Sequence, residues 1–87
     1  MFFLKIEDAF GQALKAARTS AGLSQVDLAI RCGCNAMSIS KLERGLTQPS
    51  LHFMILLSKG LEIDAVELLE ATQAYNPTVH LPKTPLR

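Results

Sequence analysis

The sequence predicts an all-α protein, a single small domain with five helices. Apolar residues recur at helical spacing along most of the chain, and no stretch of useful length alternates apolar with polar residues as a half-buried strand does. Each apolar stretch follows a residue that caps helices well. The 87 residues suffice for one core. With 48% apolar residues, no Trp and one Tyr, aliphatic side chains must fill that core.

The first helix is predicted over residues 8–20, after an N-terminal extension of residues 1–7. Asp8 is the expected N-cap, because a short acidic side chain accepts hydrogen bonds from the free N–H groups of a first turn. Ala21 and Gly22 end the helix. Its apolar face consists of Phe10, Ala13, Leu14 and Ala17.

The second and third helices are short and closely spaced. Ser24 and Asp27 have the spacing of a capping box at the start of the second helix. Gly33 ends that helix, because glycine readily takes a positive φ. Asn35 caps the third helix, which covers the segment AMSISKLE and ends at Gly45. Two short helices joined by such a turn cross at a large angle, so the third helix protrudes.

The third helix has a core face and a mostly polar face. Ile39 and Leu42 share the core face. The opposite face carries Met37, Ser40, Lys41 and Arg44, with Ala36 at its edge. The major groove of B-DNA is wide enough for a protruding helix, and the N-terminal turn offers a positive dipole and free N–H groups to phosphate. The pattern therefore predicts a DNA-reading helix.

The last two helices follow the loop TQPS. Ser50 caps the fourth helix, LHFMILLSKG, and Asp64 with Glu67 repeats the cap pattern before the fifth, AVELLEATQA. The domain is expected to span residues 8–71. Residues 72–87 are expected to form a C-terminal tail, either an extended arm or disordered, because three prolines in the last twelve residues exclude a continuous helix.

The charges are distributed unevenly, although the net charge is only +1. Residues 1–59 carry seven Lys or Arg and four acidic residues, whereas residues 60–87 carry two and four. An anionic partner is therefore expected at the N-terminal part of the chain.

Several classes of function are excluded by the composition. The apolar run LHFMILL is far shorter than the roughly 20 residues of a membrane helix, and MFFLKIED is too short for a secretory signal. We therefore expect a soluble, cytoplasmic protein with no membrane partner. Cys32 and Cys34 are too close for an unstrained disulfide, and His52 and His80 do not complete a zinc site. We expect no metal, no cofactor and, without a recognisable catalytic set, no enzyme.

The segments GLSQVDLA and SISKLERG, with a glycine turn between them and PS after them, resemble the helix-turn-helix domain of the Cro/phage-repressor (Xre-type) family. The resemblance covers the chain from Asp8 to Glu70. It implies a compact five-helix, lambda-repressor-like DNA-binding domain whose partner is double-stranded DNA.

The resemblance also implies particular DNA contacts. Gln25 stands where family members contact the DNA backbone, and Arg44 with the following loop stands near a phosphate. Ala36, Met37 and Lys41 stand at base-contacting positions. The expected DNA-binding residues are Gln25, Asn35, Ala36, Met37, Ser38, Ser40, Lys41, Arg44, Thr47 and Gln48. The alternatives are that Gln25 is merely a good helix residue and that the basic side chains form a solvated face.

Two features qualify this resemblance. Arg18 and Glu43 stand where the family often pairs the first and third helices, and we expect a structural salt bridge there. Ala36 and Met37 depart from the Gln, Arg or Asn pairs with which strong sequence readers begin this helix. Base reading must then depend on Asn35, Ser40, Lys41 and apolar contacts, or on DNA shape.

The fourth helix predicts a homodimer. A stripe of Leu51, Met54, Leu57 and Leu61 suffices for the core, and other apolar residues of this helix and the fifth lie on faces that a monomer usually leaves polar. The expected interface residues are Phe53, Ile55, Leu56, Val66 and Leu69. The alternative is that the N-terminal MFFLKI or the tail folds back over this surface, and the TVHL stretch of the tail could instead reach over the partner.

The predicted function is a sequence-specific transcriptional regulator that binds a two-fold operator as a homodimer through the third helix. Within this class the alternatives are an autoregulating antitoxin, with a toxin as partner, and a restriction-modification controller. Outside it, the alternative is a protein-interaction module of the same fold with little DNA affinity. A salt-dependent gel shift distinguishes the DNA-binding alternatives from this module.

Overall fold

The computed structural model describes residues 5–76, and these residues form five α-helices and no strand. The helices are α1 (Ile6–Ser20), α2 (Gln25–Cys32), α3 (Ala36–Glu43), α4 (Leu51–Leu61) and α5 (Ala65–Tyr75). The predicted fold class is confirmed over this part of the chain. Within it, no helix is long and apolar enough to cross a membrane.

The core lies where all five helices meet. Its fully buried side chains come from every helix: Leu14, Leu28, Ile39, Leu42, Leu57 and Leu68. Phe10 is the aromatic member, and the free thiol Cys32 packs with this cluster. Cys34 packs partly against it. Both thiols are therefore small side chains at or beside the core, and burial raises the pKa of each.

Three caps are as predicted, because each depends on only a few consecutive residues. Ser24 and Asp27 form the complete capping box of α2, with both hydrogen bonds at 3.0 Å. Asn35 caps α3 and Ser50 caps α4. Gly33 ends α2 with φ at 71°, in the left-handed region that glycine adopts without strain.

The caps of the outer helices differ from the prediction. α1 begins at Ile6, with Lys5 as N-cap, so Asp8 lies inside the first turn and does not cap it. The Asp8 carboxylate instead packs against Gly45, where an added Cβ would collide with it. Asp64 is the N-cap of α5 as predicted, but its side chain makes no capping hydrogen bond.

Two boundaries are also corrected. α1 begins within the segment assigned to the N-terminal extension. α5 ends at Tyr75, one residue beyond the predicted segment AVELLEATQA, so residues 72–75 belong to this helix and not to the tail. Thr72 is buried, and its hydroxyl donates to the Leu68 carbonyl one turn earlier at 2.8 Å. The arm proposed for TVHL, and the fold-back of MFFL, lie outside the described residues.

The core stripe of α4 is wrong at one position. Met54, Leu57 and Leu61 are buried as predicted, but Leu51 is 80% exposed. Leu51 is the first residue of α4, so it lies at the rim of the domain, where no other helix covers it. The register of the helix is right, and only its first turn extends beyond the core.

A close backbone approach positions α3 against α1. A Cβ added at Gly11 would lie 2.6 Å from the carbonyl oxygens of Leu42 and Glu43. Real Cβ atoms do not approach backbone that closely, so only glycine permits this contact. Gly11 therefore determines how deeply the C-terminal turn of α3 packs against α1.

Candidate nucleic-acid interface

The N-terminus of α3 is capped by Asn35, and no acidic side chain in its first turn offsets the positive end of the helix dipole. The Asn35 Oδ1 accepts from the Ser38 backbone N–H at 2.9 Å and from the Ser38 hydroxyl at 3.0 Å. The Ser38 hydroxyl, expected at the DNA, is thus hydrogen-bonded to the cap residue in this structure. This end of α3 is suited to meet an anion.

The outward face of α3 carries the predicted contact residues. Met37 is 57% exposed, Lys41 and Arg44 are exposed, and Ala36 and Ser40 are half-buried at its edges. Thr47 and Gln48 are exposed in the loop that follows α3. The helix and this loop therefore bring two cations and several small polar groups to one side of the domain.

A buried ion pair links α1 to α3. The Arg18 Nε donates to Glu43 Oε2 at 2.6 Å, and Nη2 donates to Oε1 at 3.0 Å. The two side chains are only 10% and 4% exposed. The Arg18 Nη1 also donates to the Leu23 carbonyl at 2.8 Å, at the turn before α2. The predicted Arg18–Glu43 salt bridge is thus present, and it reaches all three N-terminal helices.

The electrostatics of this pair favour the charged form of Arg18. Hydrogen bonds from Arg18 to Glu43 raise the pKa of the guanidinium above its ordinary value, desolvation opposes this, and the charge of Glu43 adds to it. Both oxygens of the Glu43 carboxylate accept hydrogen bonds from Arg18, and Oε1 accepts another from Gln25 Nε2 at 3.0 Å. The pair is therefore fully satisfied, which is the condition for a buried ion pair to be tolerated.

Gln25 has a role that the sequence did not reveal. The resemblance placed it at the DNA backbone, whereas in the structure its amide binds Glu43 at the C-terminal end of α3. One amide hydrogen and the carbonyl oxygen remain for another partner. Gln25 thus ties the start of α2 to α3 while staying at the surface that α3 presents.

The predicted interface residues fall into two groups. Ile55, Val66 and Leu69 are 44%, 61% and 52% exposed, and Ile55 and Leu69 line one groove between α4 and α5. Phe53 and Leu56 are half-buried and pack against the core of their own chain. These two are therefore largely engaged inside the domain, because α4 is covered by neighbouring helices on more sides than its own pattern indicates.

The groove contains apolar residues that the sequence reading did not assign to it. Leu51 and Ile6, 80% and 39% exposed, line it together with Ile55 and Leu69. The signal for Leu51 was ambiguous, since its position on the wheel also fits the core stripe. Ile6 belongs to the segment MFFLKI, which the alternative to the dimer placed over this surface, and it reaches the groove as the first residue of α1.

The described residues contain no group of three or more His, Cys, Asp or Glu side chains arranged to hold a metal ion. The polar groups that the structure brings together belong instead to the α3 surface and the ion-pair network beneath it.

Comparison with known proteins gives the family. A family model described as a helix-turn-helix domain matches residues 9–71. The HTH-type transcriptional regulator SlrR of Bacillus subtilis is 36% identical over 62 residues, which is 70% of this chain and 41% of SlrR. An uncharacterised HTH-type transcriptional regulator, y4dL, of Sinorhizobium fredii is 34% identical over 55 residues, 63% of this chain and 28% of y4dL. The chain thus spans less than half the length of these two relatives.

A solved structure extends the comparison to the fold. The restriction-modification controller protein C.AhdI of Aeromonas hydrophila is 37% identical and superposes with a TM-score of 0.70. The match covers 71% of this chain and 94% of the controller. The likeness therefore spans nearly the whole of a small, separately solved protein.

Proposed function

The chain belongs to the Cro/phage-repressor (Xre-type) helix-turn-helix family, and from this premise we propose that it is a transcriptional regulator that binds double-stranded DNA as a homodimer. The observation that carries the proposal is the outward face of α3, with a capped, acid-free N-terminus and the exposed cations Lys41 and Arg44. A helix of this kind enters the major groove with its N-terminal residues towards the base edges.

The ion-pair network supports this role mechanically. A reading helix must keep its position within a fraction of an ångström for its contacts to discriminate between bases. α3 buries only Ile39 and Leu42, which is little apolar surface for orientation. Arg18 and Gln25 hold its last residue, Glu43, from two other helices. We infer that this polar clamp sets the angle at which α3 meets DNA.

The two-fold arrangement is proposed from the groove between α4 and α5. Ile55 and Leu69 lie there with Leu51, and these exposed apolar side chains are costly to leave in water. A second copy docked by the same groove buries them symmetrically. In such a dimer the two α3 helices lie about one DNA turn apart, ~34–36 Å, on a two-fold site. Two copies also double the phosphate contacts, which offsets the low net charge.

The first experiment is selection of bound sequences from random duplex DNA, followed by a gel shift titrated with salt. We expect a two-fold site and an affinity that falls steeply with salt. Lys41→Ala should weaken binding, while Lys59→Ala, which removes an equal charge at the far end of α4, should leave it unchanged. Binding that is absent at low salt, or equally strong in the Lys41→Ala protein, contradicts the proposal.

The second experiment measures oligomeric state. Analytical ultracentrifugation at micromolar concentration should show a concentration-dependent dimer, and a palindromic site should bind two copies. A clean monomer that stays monomeric on that site rules out the dimer without ruling out DNA binding.

One specialised role has support from the comparisons. The C.AhdI controller matches over 94% of its length, so a restriction-modification controller is the second candidate function. A methyltransferase gene beside the gene of this protein supports that role. A toxin gene in that place supports the antitoxin role instead.

A further inference from the structure

The side chain of Arg44 lies along the outward face of α3. Its Nε donates to the Ser40 hydroxyl at 3.1 Å and to the Ser40 carbonyl at 3.3 Å. Its Nη2 reaches the Met37 sulfur at 4.0 Å. Residues 37, 40 and 44 form one stripe along the helix, since they are three and seven positions apart. The guanidinium therefore points back from the C-cap of α3 towards its N-terminal turn.

This arrangement leaves one edge of the guanidinium for a partner. The group is planar and carries five N–H donors in a fixed fork. Ser40 holds the Nε side, and among the described residues the Nη1 donates to no other group. The outer edge, formed by Nη1 and Nη2, is therefore the edge that two adjacent acceptors can engage. Because Ser40 already restricts the side chain, less rotamer entropy is lost on contact.

The other side chains of α3 offer no equivalent. Ala36 has no hydrogen-bonding group, and Met37 has only a weak acceptor. The Asn35 oxygen and the Ser38 hydroxyl are engaged in the cap. Lys41 is a point charge without a planar fork. Arg44 is thus the side chain of α3 that can make two parallel hydrogen bonds to one base.

Guanine is the base that fits this fork. It presents two adjacent acceptors, O6 and N7, to the major groove, and arginine contacts them with two hydrogen bonds. We propose that Arg44 reads one guanine in each half-site, with Ser40 as the positioning residue that holds its Nε and with the Met37 sulfur as a second, weak contact of its Nη2. This inference rests on the proposed DNA-binding function and replaces the phosphate contact that the resemblance implied for Arg44.

The experiment uses the full chain and the duplex selected by the wild-type protein. The probes are that duplex, the same duplex with the guanine changed to adenine, and one with 7-deazaguanine, which lacks the N7 acceptor. We expect each change to weaken wild-type binding by about 5- to 150-fold. Arg44→Ala should bind all three probes within about 2-fold of one another, and Arg44→Lys, which keeps the charge without the planar fork, should show a smaller guanine preference than the wild type.

Two further variants separate the roles on this face. Ser40→Ala should lower the guanine preference while leaving the salt dependence unchanged, since no charge is removed. Lys41→Ala should bind less tightly but keep the full guanine preference. Thermal melts of every variant confirm folding, and Arg44→Lys provides a second test if Arg44→Ala does not fold.

Other results overturn the inference in distinguishable ways. If Arg44→Ala weakens all three probes alike and lowers the salt slope by about one unit, Arg44 contacts phosphate. If the wild-type site lacks a guanine at a fixed position in each half-site, the inference is wrong while DNA binding stands. If the wild-type protein selects no DNA, the proposed function itself fails.

Discussion

The α3 side of the domain is held mainly by polar contacts, whereas the α4–α5 side is held by apolar packing and also exposes apolar side chains. α3 buries two large apolar side chains and is held by an ion pair, a glutamine and a glycine contact. α4 and α5 contribute Met54, Leu57, Leu61 and Leu68 to the core and still leave Ile55, Val66 and Leu69 exposed. The α3 side thus buries little apolar surface, and the α4–α5 side has more apolar side chains than its own core covers.

This difference separates orientation from association. Polar contacts are directional, so a few of them can fix the angle of a short helix that must present most of its surface to a partner. Apolar burial is non-directional and proportional to area, so a surplus favours docking against another apolar surface. Substitutions on the α3 side should therefore act on the stability and angle of that helix, and those on the α4–α5 side on assembly.

The largest effect is expected for Arg18→Met. The substitution leaves the Glu43 carboxylate, with a side chain 4% exposed, without its counter-charge. Breaking one partner of a buried pair costs about 3–5 kcal/mol of unfolding free energy. Chemical denaturation measures the loss, and Lys15→Met, at an exposed site on the same helix, should change stability by about 0.5 kcal/mol or less.

A double-mutant cycle tests whether the loss arises from this pair. Glu43→Gln removes the negative charge from the other partner, so the double variant should be less destabilised than the sum of the two single variants. Additive losses would show that Arg18 and Glu43 are not coupled in solution.

The next largest effect is expected for Gly11→Ala. The new Cβ meets the carbonyl oxygens of Leu42 and Glu43 at 2.6 Å, so α1 and α3 must move apart. We expect a loss of about 1–3 kcal/mol, typical of overpacking. Gln12→Ala, at the next and exposed position of α1, should change stability little. A stabilised Gly11→Ala protein, as intrinsic helix propensity alone predicts, would contradict the close approach.

A smaller loss is expected for Ser24→Ala, because the cap of α2 is local and exposed. Removing such a cap costs about 1 kcal/mol. Hydrogen bonds from Ser24, the backbone bond first and then the side-chain bond, lower the pKa of Asp27. A lowered folded pKa means that Asp27 stabilises α2 at neutral pH and that this contribution is lost as the pH falls through that value.

A pH titration of stability checks this sign. The wild-type protein should lose more stability on acidification than Asp27→Asn, which has no carboxyl to titrate at that position. Identical acid profiles for the two proteins would mean that the Asp27 half of the capping box is not formed. Ser20→Ala, at the exposed end of α1, serves as the control for Ser24→Ala.

The smallest loss of folding stability is expected for Ile55→Asp and Leu69→Asp. These two variants should have the clearest effect on dimer formation. Both side chains are near half exposed, so each variant should lose about 1 kcal/mol or less of unfolding free energy. Sedimentation should nevertheless show monomers, because a charge in the groove opposes docking. Val26→Asp, at a 55% exposed apolar site on α2, should remain dimeric. Dimers in all three variants would exclude the groove as the interface.

The accuracy of the sequence reading differs between local and long-range features. Ser24, Asn35 and Ser50 were identified as caps because a cap depends on neighbours within three residues. The pairing of Arg18 with Glu43 came from the family resemblance and agrees with the structure. The cap of α1 was misplaced, because Asp8 contacts Gly45, which is distant in sequence and lies after the third helix.

The helical wheel failed where a helix is apolar on several sides. The sequence of α4 does not show which of its apolar residues meet another helix, so Leu51 was placed in the core, and Phe53 and Leu56 were assigned to an interface. In the structure Leu51 is at the rim, so its placement in the core is wrong. Phe53 and Leu56 are half-buried against the core, and their place in an interface stays a prediction. Periodicity gives the relative direction of side chains on one helix, and the placement of the other helices decides which direction is inside.

The sequence by itself determined the five helices and the caps at Ser24, Asn35 and Ser50, because local hydrogen bonding and helical periodicity act between near neighbours. It also identified the family, through the resemblance of the segments GLSQVDLA and SISKLERG. Only the tertiary structure decided that Gly11 admits the carbonyl oxygens at the end of α3, that Gln25 joins the ion pair, and that Ile6 and Leu51 share a groove with Leu69. Each of these contacts joins segments far apart in sequence, and their geometry exists only once the helices have packed.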